Sequence, residues 1–251
     1  MKANILTLQL DLKLKMMKVE IWSDIMCPFC YIGKRRFEAA LDKFPGKEDI
    51  TVEWKSFQLN PSLKSQPGKD VYDYVAEMKG QSREWSLTIH EQLAGTAREA
   101  GLTYNFDKAV IANSFDAHRL IQLAKQQGLG DAAEERLFYA YFTEGKDVSD
   151  HATLVELGVE IGLDKPAVEA VLETTEMAAA VNRDVNEAQQ LGIRGVPFFV
   201  LDRKYGVSGA QPVDAFTQTL EAAFAEWKST QPVTELDTLS GPVCTPDGDC
   251  K

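Results

Sequence analysis

The sequence is short of cysteine, of long apolar segments and of basic residues. Four cysteines in 251 residues are too few for a disulfide scaffold. No apolar run approaches the ~20 residues that a transmembrane helix requires. Lys and Arg number 27 against 38 Asp and Glu, which gives a formal net charge of −11. Because phosphate groups and anionic lipids repel such a chain, we expect neither nucleic acid nor a membrane among its partners.

An export signal is also absent from the N-terminal segment. Residues 1–17 read MKANILTLQLDLKLKMM, in which Asp11, Lys13 and Lys15 interrupt the apolar run, and no small-residue cleavage site follows. We therefore expect a cytoplasmic protein. Since Met16, Met17 and Lys18 directly precede the first predicted strand, a natural start at Met17 would make residues 1–16 dispensable.

The length and the composition are those of a chain with a large core. Hydrophobic residues make up 44% of the sequence. Area scaling predicts that roughly 73% of the unfolded chain's surface is buried on folding, which supports a core without metals or disulfides. The length predicts between one and two domains.

Patterning predicts strands near both ends of the chain and helices in its middle. Val19–Trp22 has the apolar, β-branched character of a buried strand, a helix face follows the sequence CPFC, and Thr51–Leu59 alternates like a second strand. Residues 62–177 show helical patterning, clearest over 82–100, 113–127 and 131–142, and no convincing strand. Three more elements are predicted after this block: a helix over 178–190, a hairpin over 196–208 and a helix over 214–227.

Joined across the helical block, these elements make a βαβ unit followed by an αββα unit. This order is that of an α/β protein with a thioredoxin fold and an all-helical domain inserted in its middle. The predicted thioredoxin-like domain is discontinuous and covers residues 18–61 and 178–228. The helical insertion covers residues 62–177, and the C-terminal tail covers residues 229–251.

The sequence Cys27–Pro28–Phe29–Cys30 is the strongest chemical signal in the chain. It lies where a strand ends and a helix begins, and the unpaired amide groups of a helix start stabilise a thiolate. Cys27 is then the exposed nucleophile, and Cys30, one turn later, attacks the mixed disulfide that Cys27 forms. Two alternatives stay open, half of a zinc site and a pair of inert buried thiols, although no second ligand pair has zinc-finger spacing.

Four segments carry a resemblance to a known family: IWSDIMCPFCYIGKRR, NSFDAHRLIQLA, LGIRGVPFFV and CTPDGDC. With them the chain resembles the DsbA-family thiol–disulfide oxidoreductases, most closely their cytoplasmic FrnE-like branch, over about residues 18–227. The resemblance implies that Cys27 is the nucleophile and Cys30 the resolving thiol. It also implies a cis peptide before Pro197, facing the cysteines, and backbone hydrogen bonds from Val196 to an extended protein substrate.

Further residues are predicted to line the same groove. They are Trp22 and Asp24, which precede the cysteines in sequence, and Phe29, which lies between them. For Asp24, a turn or cap role is the stronger interpretation. The segment that contains His118 is explained by helix capping and packing. The alternative is a cleft role for His118 near the thiols, because relatives that bind glutathione place this helix over the site. The sequence Ser149–Asp150–His151 is interpreted as a helix cap.

Two other functions stay open. Kappa glutathione transferases and 2-hydroxychromene-2-carboxylate isomerases share the inserted-helix architecture, but their equivalent active-site position resembles a lone serine, where this chain has two cysteines. A redox-regulated binding module is the third alternative. The sequence predicts protein thiols and disulfides as substrates, no metal and no bound cofactor, with glutathione as a candidate thiol reductant. It predicts neither the oligomeric state nor the direction of the reaction.

Cys244 and Cys250 form a second cysteine pair. The sequence Pro246–Asp247–Gly248 between them is typical of a turn that brings the two sulfurs together. FrnE-like relatives carry a similar C-terminal pair. We expect a tail disulfide that exchanges with Cys27 as a secondary redox pair; the alternative is a staple or a weak metal clip without such an exchange.

Replacement of both tail cysteines tests these alternatives. If the tail exchanges disulfides with Cys27, the double variant Cys244→Ser/Cys250→Ser should turn over protein disulfides more slowly than the wild type, because one redox pair is lost. Insulin reduction measures the turnover, and peptide mapping detects a disulfide between Cys27 and the tail. Equal turnover without such a disulfide would identify the pair as a staple.

Overall fold

A computed structural model describes residues 16–231 of the chain. In this part of the chain, four strands form one sheet: β1 (Met17–Ser23), β2 (Ile50–Ser56), β3 (Phe198–Leu201) and β4 (Tyr205–Ser208). The same residues form nine α-helices: α1 (Pro28–Leu41), α2 (Val71–Lys79), α3 (Arg83–Glu99), α4 (Phe115–Gln126), α5 (Gly130–Tyr139), α6 (His151–Glu160), α7 (Lys165–Glu173), α8 (Ala178–Gln190) and α9 (Val213–Ser229). This confirms the predicted thioredoxin fold with a helical insertion.

The sheet has the strand order β2-β1-β3-β4. β1 runs parallel to β2, with Met17 opposite Ile50, and α1 makes the crossover between them. β3 runs antiparallel to β1 and forms a hairpin with β4. As an inner strand, β1 is buried at every residue except Lys18, and it ends directly before the loop that carries the candidate cysteines.

Two large hydrophobic cores meet along α1, the helix that follows that loop. One core packs α1 and α9 against the sheet, with the rings of Phe37, Phe199 and Phe216 in mutual contact. The other fills the helical segment and extends into the start of α1, where it includes Cys27 and Cys30. The candidate cysteines therefore lie where the helical core meets the sheet. The domain boundaries at residues 62 and 177 stay a prediction.

The second strand is shorter than the sequence predicts. β2 ends at Ser56 instead of Leu59. Beyond it, the amide of Phe57 still donates to the carbonyl of Ser23, but the amide of Leu59 donates to the carboxylate of Asp24 at 2.7 Å. A side-chain acceptor in the loop before α1 thus replaces the next backbone hydrogen bond of the sheet, which sequence alternation does not reveal.

The helical segment contains two features that the patterning does not resolve. Helix α2 is capped by Asp70, whose carboxylate accepts from the amides of the first helical turn. At the end of α5, the predicted helix over 131–142 gives way to a π-helical turn, Ala140–Glu144. That turn places the ring of Phe142 4.5 Å from the ring of Tyr104, centroid to centroid.

No helix within residues 16–231 combines the length and the apolar character that a membrane crossing needs. Within the same residues, His, Cys, Asp and Glu side chains do not gather in groups of three or more that could hold a metal ion.

Candidate active site

The cysteines of the CPFC sequence lie at the start of α1. Cys27 is the N-cap residue with extended backbone, and Pro28 is the first helical residue, where a missing amide costs nothing. The amide of Cys27 donates to the carbonyl of Asp24 at 2.9 Å, and the amide of Cys30 donates to the carbonyl of Cys27 at 3.0 Å. The positive end of the α1 dipole lies at Cys27, and the first turn of the helix carries no acidic residue that would offset it.

Both thiols are free, and they differ in environment. Cys27 keeps 5% of its surface exposed, whereas Cys30 has none. Burial raises the pKa of Cys30 well above its usual value, and the neighbouring Cys27 sulfur raises it further, while the Asp24 amide and the Ser23 hydroxyl offset part of the increase. Cys30 is therefore held as a protonated thiol beneath Cys27.

The segment Val196–Pro197 lies across from the cysteines. The Cys27 thiol donates to the carbonyl of Val196 at 3.5 Å, and the Val196–Pro197 peptide bond is cis. Pro197 is buried, and its ring packs on Gly33, where a β-carbon would come within 2.9 Å of the Pro197 Cγ. The structure thus brings together the three residues Cys27, Val196 and Pro197. Their roles toward a substrate stay a prediction.

Asp24 fixes the loop that carries Cys27. One carboxylate oxygen accepts from the amide of Met26 at 3.2 Å, and the other accepts from the amide of Leu59 at 2.7 Å. Asp24 itself is only 1% exposed. The predicted turn role agrees with this geometry, because the side chain binds backbone amides of its own loop and of the segment after β2.

Of the three residues predicted to line a groove, only Phe29 is at the surface. Its side chain is 46% exposed, next to Cys27 in sequence. Trp22 has no exposed surface, and its indole N–H donates to the backbone carbonyl of Asp184 at 2.9 Å. The prediction that Trp22 and Asp24 line the groove is therefore wrong: the pleat of β1 turns the Trp22 ring into the interior, against α8.

His118 lies beneath the surface on α4. Its Nε2 is 3.4 Å from an oxygen of Asp24, and the ring has no exposed surface for a substrate to touch in this structure. Burial alone would lower the pKa of His118, but Asp24, Glu134 and Asp184 outweigh it and raise the pKa above its usual value. His118 thus supports the active-site loop through Asp24, and substrate binding by His118 stays an untested prediction.

The capping hydrogen bond of α4 comes from Asn113, one residue before the N-cap position, Ser114. The side-chain oxygen of Asn113 accepts from the amide of Phe115 at 2.9 Å, while Ser114 makes no side-chain capping bond. At α6, Asp150 is the N-cap and accepts from the amide of Thr153 at 2.8 Å. The interpretation of residues 149–151 as a cap is therefore confirmed.

Glu134 on α5 is a buried acid that sequence reasoning missed. It has no exposed surface, and within residues 16–231 neither of its carboxylate oxygens has a hydrogen-bond partner. Burial raises the pKa of Glu134 to about 7, against the opposing effect of His118 and Lys34. Glu134 is one of three acidic residues in α5, and nothing in the sequence marks it as the buried one.

Tyr104 and Gly33 are the other residues near the cysteines that sequence reasoning missed. The hydroxyl of Tyr104 donates to the carbonyl of Pro28 at 2.7 Å from a loop of the helical segment. Gly33 lets α1 pack on Pro197. Both contacts join residues far apart in sequence, so no local pattern marks them. The predicted tail pair, Cys244 and Cys250, lies outside the described residues.

Comparison with known proteins decides the family. The model of the DSBA-like thioredoxin domain family matches residues 18–221. The chain belongs to this family. The crystal structure of the probable DsbA oxidoreductase SCO1869 from Streptomyces coelicolor is 42% identical to it, with a TM-score of 0.80, and the match covers 94% of this chain and 98% of that chain.

Two further solved structures share the fold of this DSBA-like protein at lower identity. The cytosolic disulfide reductase DsbM from Pseudomonas aeruginosa, solved with GSH, is 21% identical over 83% of this chain and 99% of its own, with a TM-score of 0.58. A 2-hydroxychromene-2-carboxylate isomerase is 17% identical over 84% of this chain and 95% of its own, with a TM-score of 0.59. The fold alone therefore does not distinguish a disulfide reductase from an isomerase.

The contact between Gly33 and Pro197 predicts a steric effect in this DSBA-like protein. Gly33→Val should lower the free energy of unfolding by about 1–3 kcal/mol, because the new side chain overlaps a buried proline ring. The matched control is Gly95→Val in the middle of α3, where the nearest atom to an added β-carbon is the end of the Arg98 side chain at 3.7 Å. Urea unfolding measures both; an equal loss in the two variants would contradict the predicted contact.

The raised pKa of Glu134 predicts a loss of stability as pH rises. The folded protein holds the Glu134 proton up to about pH 7, whereas an unfolded glutamate loses it near 4.5, so the free energy of unfolding should fall across this interval by up to about 3 kcal/mol. The raised pKa of His118 acts in the same direction. Glu134→Gln should flatten the dependence.

Urea unfolding at about pH 5 and about pH 8 measures that effect. The matched control is Glu173→Gln, a substitution at an exposed glutamate on α7, which should keep the dependence of the wild type. The interpretation is contradicted if Glu134→Gln loses as much stability between the two pH values as the wild type does.

Proposed function

We propose that this protein is a thiol–disulfide oxidoreductase that acts on the disulfide bonds of other proteins. The observation that carries the proposal is the arrangement of two free thiols on one helix turn. Cys27 caps the N-terminus of α1, and Cys30 lies fully buried one turn along it. A thiolate at a helix start attacks disulfides, and a second thiol within reach resolves the mixed disulfide.

The proposed reaction balances as a two-electron exchange. The Cys27 thiolate attacks one sulfur of the substrate disulfide and displaces the other as a thiolate, which takes up a proton. Cys30 then gives up its proton and attacks the Cys27 sulfur, which releases the second substrate sulfur. The substrate leaves as a dithiol, and the enzyme holds a Cys27–Cys30 disulfide. The reverse sequence oxidises a substrate dithiol, and both directions together isomerise disulfides.

A thiol must return the enzyme to its dithiol form after each reduction. Two molecules of glutathione would reduce the Cys27–Cys30 disulfide and leave as glutathione disulfide, which balances the two electrons. The structure of Pseudomonas DsbM with GSH supports glutathione as this reductant. That DsbM is a cytosolic reductase, which supports a cytoplasmic location for this chain, and the sequence motifs support the FrnE-like branch.

Protein substrates are proposed to bind across the CPFC turn and the Val196–Pro197 segment. Phe29 offers an exposed ring beside Cys27, and the Val196 carbonyl already accepts the Cys27 thiol at 3.5 Å. An extended peptide that pairs with the backbone of Val196 would bring its cysteine to the same place. Main-chain pairing of this kind tolerates many substrate sequences.

Cys30 distinguishes the proposal from a glutathione-dependent isomerase or transferase. A monothiol or serine site orients glutathione without a second thiol, whereas Cys30 is buried behind Cys27, with its proton retained. A redox-regulated binding module would use the same thiols without turnover. Catalytic turnover of a protein disulfide, dependent on both cysteines, therefore separates the three functions.

Insulin reduction with dithiothreitol or glutathione tests the proposal. Cys27→Ser should reduce the rate to that of the reductant alone, because the nucleophile is lost. Cys30→Ser should instead accumulate a mixed disulfide on Cys27, because the resolving thiol is lost. Thermal unfolding of both variants controls for folding. Insulin reduction by Cys27→Ser at the wild-type rate, or no catalysis by the wild type, would contradict the proposal.

A further inference from the structure

Tyr104 brings a side chain of the helical segment onto the CPFC turn. It follows α3 in the chain and is 7% exposed. Its hydroxyl donates to the carbonyl of Pro28 at 2.7 Å, which is the peptide carbonyl between the two cysteines. The buried hydroxyl thus binds the backbone of the CPFC turn and neither of the two sulfurs.

The ring of Tyr104 is fixed from several sides. It stacks on Phe142 at 4.5 Å and lies edge-on to Phe106 at 5.5 Å, centroid to centroid. Tyr31, the residue after Cys30, also stacks with the Tyr104 ring, at a centroid distance of 6.3 Å. The hydroxyl therefore has little freedom to leave Pro28, because its ring is held by both the helical core and α1.

The π-helical turn holds the loop that carries Tyr104. The amide of Asn105 donates to the carbonyl of Phe142 at 2.7 Å, and its side-chain amide donates to the carbonyl of Thr143 at 2.6 Å. The turn thus supplies both the ring that stacks on Tyr104 and the carbonyls that bind the next residue. These contacts join the π-helical turn to the start of α1 through Tyr104.

The Tyr104 hydroxyl is held in its neutral, protonated form. Burial raises the pKa of Tyr104 above its usual range, and negative charge on Cys27 raises it further. The phenol is therefore a neutral donor whose proton points at the Pro28 carbonyl. Its dipole offsets part of the negative potential of a carbonyl in the first turn of α1 and so favours negative charge at the helix start.

We propose that Tyr104 is a positioning residue for disulfide exchange, whose hydroxyl holds the Pro28 carbonyl and so favours the thiolate form of Cys27. The inference rests on the proposed function, since it assigns a role at the same site. It predicts that the loss of one oxygen atom from the helical segment changes the reactivity of a sulfur in the sheet domain.

The test compares the rate at which iodoacetamide alkylates Cys27 in the reduced wild type and in Tyr104→Phe, followed by mass spectrometry of the peptide that carries Cys27. Phenylalanine keeps the ring stack and removes only the donor. The alkylation rate at about pH 7 should fall roughly threefold, and the pH profile of the rate should move toward higher pH. The control Tyr205→Phe removes a phenol hydrogen bond to Glu226 at 2.8 Å and should leave the rate unchanged.

The direction of the change separates positioning from mere loosening of the fold. A loosened fold would expose Cys27 and raise the alkylation rate, whereas loss of thiolate stabilisation lowers it. A rate in Tyr104→Phe equal to or above that of the wild type would overturn the proposal. Alkylation needs no turnover, so a wild type that fails to reduce insulin would contradict the proposed function and leave this readout intact.

Discussion

Asp24 accepts hydrogen bonds from the amides of Met26 and Leu59 through its two carboxylate oxygens, and its backbone carbonyl accepts from the amide of Cys27. This one residue closes the turn that leads into α1 and ties it to the segment after β2. Removal of the carboxylate would leave these partly buried amides to water, at a cost of about 0.5–1.5 kcal/mol for each hydrogen bond. The position of Cys27 at the helix start, and hence its chemistry, depends on this turn.

The helical segment contributes to the site without supplying a reacting atom. His118 lies 3.4 Å from the Asp24 carboxylate, and Tyr104 binds the Pro28 carbonyl. Glu134 adds a buried acid to the same interior. The start of α1 therefore carries the sulfurs, and the inserted helices add hydrogen bonds and buried charges to those that Asp24 and Val196 provide. Both cysteines accordingly belong to the helical core, although the later turns of α1 pack on the sheet.

The fold, and the position of the two cysteines at a helix start, could be predicted from the sequence because short segments of the chain encode them. The apolar run of β1, the periodicity of α1 and the cysteine spacing each occupy a few consecutive residues. Other features could not be predicted in this way: the end of β2 at Ser56, the burial of Trp22 and the contacts of Tyr104 and Gly33. Each of them depends on a partner far along the chain, such as Asp24 for Leu59 or Pro28 for Tyr104, and no single segment contains both partners.

The central claim is that Cys27 and Cys30 work as one dithiol. Equilibration of the protein in glutathione buffers of increasing oxidation, followed by acid quenching and mass spectrometry of the cysteine peptides, measures this directly. The account predicts an intramolecular Cys27–Cys30 disulfide that forms with a two-electron slope, about 30 mV for each tenfold change in the ratio of the two forms. A stable glutathione adduct on Cys27, with Cys30 left as a thiol throughout the titration, would contradict it.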